Sequence, residues 1–110
     1  MEEGNLNEYF AYDPKLKIRI PRLSKAWNSY SLHTQKRILT EWETIRGHIP
    51  DRIIELEEEI NKKQEDLNTE EDFDRSCKLN HEISELASII NDLWIWFRTT
   101  QDISNSKIHN

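Results

Sequence analysis

From Leu79 to Phe97 apolar residues recur at alternating steps of four and three: Leu79, Ile83, Leu86, Ile90, Leu93 and Phe97. Successive residues of a helix point about 100° apart, so this spacing puts all six side chains on one face. A face of that kind needs a partner to bury it. The upstream run supplies one, because Ile53, Leu56, Ile60 and Leu67 stand at compatible steps before the polar stretch Asn68-Thr69-Glu70-Glu71. The pattern predicts two helices folded back on each other across a turn at 68–71. Antiparallel helices of equal rise pair residues equidistant from that turn. Leu67 then meets Phe73, Ile60 meets Leu79, Leu56 meets Ile83 and Ile53 meets Leu86. Further along, Ile49 meets Ile90, Ile45 meets Leu93 and Trp42 meets Phe97, apolar on both sides each time.

That register implies that the first arm is longer than one helix. Ser31 is a good N-cap for a helix over 32–46 with Ile38, Leu39, Trp42 and Ile45 on its apolar face. Gly47 offers a left-handed stop, and Pro50 suits the first turn of the next helix. The expectation is a kinked first arm, with helices over 32–46 and 50–67, followed by a helix over 70–99. Lys63-Gln64 opposite Ser76-Cys77 forms a polar interruption near the tip.

The amino-terminal third is less regular. Residues 1–15 show no helical period and are expected to form a flexible arm, although Tyr9, Phe10 and Tyr12 are unusual for an inert tail. Residues 16–20 alternate, with Leu16, Ile18 and Ile20 on one side and cations on the other, a strand pattern closed by Pro21. No second convincing strand is evident, so this segment is expected to lie extended along the helices. Leu23, Ala26, Trp27 and Tyr30 predict a short helix over 22–30. Residues 100–110, rich in Ser and Asn, read as a frayed tail. The whole is expected to be one all-α domain: an antiparallel, coiled-coil-like helical hairpin, with the short helix packed at its aromatic end. Two glycines and three prolines in 110 residues also argue against a sheet-rich fold.

Charge is unevenly placed. Residues 51–75 hold eleven acids against four bases, whereas residues 1–50 hold six acids against eight bases. The acidity centres on the hairpin turn, where Glu70, Glu71 and Asp72 are candidate contacts for a basic partner. At the other end, Ile89, Ile90, Leu93, Trp94, Ile95, Trp96 and Phe97 cover more of the helix circumference than one neighbour buries. Ile89, Trp94 and Trp96 are therefore candidate partner-binding residues. Phe97 is expected to continue the seam toward Trp42 and Trp94 to stay on the intrachain side. Trp96 needs the 22–30 segment as cover, and partial cover would leave the surface of a homodimer.

Other chemistry is thinly represented. Cys77, His81 and Glu85 fall at steps of four on one face, but no second Cys/His pair completes a metal site, so no metal or other cofactor is expected. A phosphate-binding glycine loop and a nucleophile elbow are both missing from the sequence, and no enzymatic activity is expected. Lys15, Lys17, Arg19, Arg22 and Lys25 form a basic stretch able to touch phosphates. No apolar run is long enough to span a bilayer, the amino terminus lacks a signal peptide's features, and the lone Cys77 fits a reducing compartment. A cytoplasmic location without membrane insertion is expected.

The run Leu56-Glu57, Ile60, Gln64, Leu67, then Phe73-Asp74, Ser76-Cys77, Leu79, Ile83 and Leu86 resembles the UVR motif, the helical hairpin named for UvrB and UvrC. The resemblance covers residues 56–86. This chain has extra residues in the turn, and Asn80-His81 stands where the motif has Arg-Asp. The resemblance implies an antiparallel hairpin that associates with the hairpin of another protein. The leading functional expectation is a small non-enzymatic protein-interaction module acting through the hairpin and its aromatic end. The alternatives are a nucleic-acid-associated factor using residues 15–25 and a metal- or thiol-dependent regulator at Cys77 and His81.

Overall fold

The structure, a computed structural model, describes residues 5–99. Three helices dominate it: α1 (Leu32–Gly47), α2 (Ile49–Thr69) and α3 (Phe73–Phe97). A two-stranded antiparallel sheet, β1 (Phe10–Asp13) with β2 (Ile18–Pro21), and two short 3-10 turns at Leu6–Tyr9 and Trp27–Ser29 precede them. The protein is therefore mostly helical but not strictly all-α.

Each helix begins and ends for a local reason. Ser31 caps α1, its hydroxyl accepting from the Thr34 amide at 3.1 Å. Asp72 caps α3 in the same way, accepting from the Arg75 amide at 3.0 Å. Between α1 and α2 there is one non-helical residue, His48, whose own φ and ψ of −92° and −9° are nearly helical. Pro50 has no amide hydrogen, so it cannot donate to the Arg46 carbonyl that an unbroken helix would offer it. The chain bends there instead of reversing. Gly47 is the last residue of α1 and has no positive φ, so the expected left-handed stop is not used. Together α1 and α2 make one long bent helix.

Near its start, residues 1–15 do not form a free arm over the described part. Tyr9 and Phe10 are buried, and β1 supplies the partner that the 16–20 segment lacked. Asp13 makes the reversal: its Oδ1 accepts from the amides of Lys15 and Leu16, both at 2.9 Å, and Pro14 presets the turn. Lys17 closes the turn at φ 61°, in the left-handed region. The strand pattern shifts from 16–20 to Ile18–Pro21, which leaves Leu16 in the turn, buried and with its carbonyl accepting from Arg52 Nε at 3.2 Å.

The expected helix over 22–30 reduces to the single 3-10 turn Trp27–Ser29. So short a segment nucleates a helix poorly, and its backbone finds other partners. Lys25 N donates to Tyr30 Oη, and Gln35 Nε2 donates to the Trp27 carbonyl at 2.9 Å. Leu23, Trp27 and Tyr30 still pack against the core.

The core is continuous from Tyr9 and Phe10 through Ile38, Trp42, Ile45, Ile49 and Ile53 to Leu56 and, from α3, Leu93. Beyond Leu56 and Leu86 it stops, and α2 and α3 run on as a two-helix arm with Leu79 buried and Ile60, Leu67 and Ile83 half-buried. The molecule measures 63 × 24 × 21 Å, with a radius of gyration of 18.1 Å against about 13 Å for a compact chain of this length. It is a head carrying a stalk.

The turn occupies residues 70–72, not 68–71, because Glu70 and Asp72 are both extended and α3 starts at Phe73. Moving its centre to Glu71 shifts each partner on α3 by three residues. Equal rise then sets Leu56 level with Leu86, Ile49 with Leu93 and Ile45 with Phe97. Two bonds between the helix ends agree: Arg46 Nη1 donates to the Phe97 carbonyl at 2.9 Å, and Trp42 Nε1 donates to the Thr99 carbonyl. Phe73 is left with no apolar residue opposite and is 76% exposed, so the expected Leu67–Phe73 pair does not close the seam.

Candidate functional site

The residues singled out from the sequence fall at the two ends of α3, about 30 Å apart along the helix. At the aromatic end they separate. Trp96 is half-buried, packs on the core and meets Trp42 of α1 edge to face at 5.7 Å. Ile89 is half-buried and packs on the same core. Only Trp94 stays at the surface, 38% exposed, with its ring edge to face on Phe97 at 5.5 Å. Phe97 meanwhile lies under the guanidinium of Arg46, at 5.0 Å, and packs against the core. The expected assignments of Trp94 and Trp96 are thus exchanged: Trp96 stands three residues after the buried Leu93, on its flank of the helix, and Trp94 on the other.

At the tip the residues come together. Glu70 is the structural member: its carboxylate takes the Arg75 Nε at 2.9 Å and the Asp72 amide at 3.2 Å, which fixes the loop. Asp72 spends one oxygen on the helix cap. Glu71 and Asp74 project into solvent, and Phe73 stands between Asp72 and Asp74. Just below, Lys63 Nζ bonds Glu82 Oε1 at 3.0 Å across the two helices, which holds the Glu82 carboxyl below its ordinary value. The tip is therefore a defined loop presenting an aromatic ring among carboxylates.

The head carries the opposite charge. Arg19 is engaged by Glu41, by Asn7 Oδ1 at 3.2 Å and by the Phe10 ring at 5.4 Å. Lys25 sits over Tyr30 at 5.8 Å. Lys15, Lys17 and Arg22 are exposed and form no side-chain ion pair among the described residues. Of the cations in this stretch Arg19 pairs with α1, and Lys15 lines a shallow pocket beside Glu85 and Asp92 of α3 without reaching either as an ion pair. An open groove of about 410 Å³ lies between the sheet and the bend, lined by Tyr12, Lys17, Ile18, Arg19, Ile45 and His48.

No protein-family model, no curated protein and no solved structure matches this chain. The site has to be read from its own chemistry.

Cys77 is exposed, and His81 Nε2 lies 3.4 Å from Glu85 Oε2 on the outer face of the stalk. Among the described residues no three His, Cys, Asp or Glu side chains converge to hold a metal ion, and no helix is long and apolar enough to cross a membrane.

Phe73, expected in the seam, and Tyr12, expected in a flexible arm, are instead exposed on ordered elements, and His48 is exposed at the bend. A signal existed for Phe73: Asp72 is as good an N-cap residue as Thr69, and capping there places Phe73 at the first helical position, outside the seam. For Tyr12 the signal was Asp13-Pro14, a turn dipeptide set directly between the aromatic run Tyr9–Tyr12 and the alternating segment 16–20.

Proposed function

We propose that the protein is a cytoplasmic, non-enzymatic protein-interaction module that binds through the tip of its helical hairpin. The observation that carries this reading is the exposure of Phe73 between carboxylates at the end of an arm that the core does not reach. A single exposed apolar side chain is ordinary on a protein surface. A ring held on a capped loop at the far end of a two-helix stalk is a different matter, because folding gains nothing from it there. Aromatic rings anchor interfaces well, and the surrounding Glu71, Asp72 and Asp74 select a basic partner and speed its approach. The resemblance to the UVR motif supports the same reading, since that motif docks hairpin to hairpin. Trp94 offers a smaller second contact at the head end.

A comparative pull-down from native cytosol tests this. Wild type and Trp94→Ser should retain the same partner, and Phe73→Ser should lose most of it, because truncating an interface anchor costs about 2 kcal/mol or more. Retention by Phe73→Ser together with loss by Trp94→Ser would move the contact surface to the aromatic end. A salt-dependent shift of mixed DNA or RNA by the wild type, abolished by reversing Lys15, Lys17 and Arg22, would instead favour nucleic-acid association.

A further inference from the structure

The groove at the bend and the tip of the stalk are chemically complementary. Ile18 and Ile45, both nearly buried, form its apolar floor, Tyr12 an aromatic wall, and Lys17, Arg19 and the His48 imidazole its rim. Arg19 is already held by Glu41, which leaves Lys17 and His48 as the rim groups open to solvent. The tip presents the reverse arrangement, one apolar ring with carboxylates on either side. Its own groove is out of reach, since α2 is 21 continuous helical residues, about 31 Å, and separates the bend from the tip. The same opposition holds over the whole molecule. Residues 5–47 carry eight Lys/Arg against four Asp/Glu, and residues 48–99 carry six against fourteen.

We propose that the occupant of the groove is the hairpin tip of a second copy of this chain, with Phe73 seated on Ile18 and Ile45 beside Tyr12 and the flanking carboxylates facing Lys17 and His48. This rests on the reading of the tip as the binding surface and names its partner. The contact is heterologous: each copy gives a tip and receives one, so a dimer retains one free tip and one free groove and continues to grow. Side-by-side pairing of two stalks is disfavoured by the same charges, because it would set acidic arm against acidic arm.

Sedimentation velocity of the full chain at low ionic strength tests the proposal. Wild type should show a mass that rises with concentration and falls on adding salt, because the contact depends on screened charge. Phe73→Ser and Lys17→Glu should each sediment as monomers with unchanged helicity by circular dichroism. Mixed in equal amounts, they should form a one-to-one dimer and nothing larger, since one retains a working groove and the other a working tip. A wild type that stays monomeric at high micromolar concentration overturns the proposal, as does a mixture of the folded variants that fails to pair. If the wild type is monomeric yet Phe73→Ser loses a partner captured from cytosol, self-association falls and the reading of the tip stands.

Discussion

Leu93 and Phe73 lie on the same helix and differ almost entirely in what surrounds them. Leu93 is wholly buried beneath α1 and α2, and Phe73 is open to solvent. Truncating a buried leucine removes its transfer energy and leaves a cavity, so Leu93→Ala should cost about 2–5 kcal/mol. Phe73→Ala should cost about 0.5 kcal/mol or less despite deleting the larger side chain. Urea melts of the two variants check this contrast, and equal midpoints would show that α3 has been placed in the wrong register. The periodic run made Leu93 readable as core from sequence. Phe73 was not readable in the same way, because its burial depends on which residue ends the turn, and both Thr69 and Asp72 are plausible caps.

At the scale of elements, the helical hairpin was legible because a helix face leaves a one-dimensional trace in the sequence. Its register was not. A shift of three residues carries Leu56 from Ile83 to Leu86 and Ile49 from Ile90 to Leu93, so apolar still meets apolar and the pattern cannot tell the two apart. The cross-helix bond from Lys63 to Glu82 does distinguish them. Its electrostatics give a signed prediction: a carboxyl whose folded pKa lies below its unfolded value contributes stability above the unfolded value and loses it as pH falls through the folded one. Stability of the wild type should therefore drop below the ordinary glutamate range near pH 4, and Glu82→Gln should flatten part of that acid limb in melts recorded against pH.

Of the β-hairpin, the second strand was legible from its alternation but its partner was not, because Phe10–Asp13 is four residues long, does not alternate apolar with polar and has Tyr12 facing outward. Its turn holds Lys17 in the left-handed region, which costs a side-chain-bearing residue about 1–2 kcal/mol. Glycine there loses more entropy on folding, so Lys17→Gly should stabilise by about 0.5–1 kcal/mol net in thermal or denaturant melts.

For the molecule as a whole, the composition of the chain matches the shape. A small protein with 33% charged residues has too little apolar material to close a globular core around every helix. It concentrates burial where α1, the sheet and the end of α3 converge, and lets the rest of the hairpin extend as an acidic arm. The claim that this arm exists to carry its tip is tested most directly by placing a photoreactive phenylalanine analogue at position 73 and, as a control, at position 32. Leu32 is 78% exposed, comparable to Phe73, but sits at the start of α1 on the head. Irradiation in living cells should give a discrete covalent adduct from position 73, to another protein or to a second copy of the chain, and little from position 32. Equal labelling at both positions, or none at position 73, would contradict it.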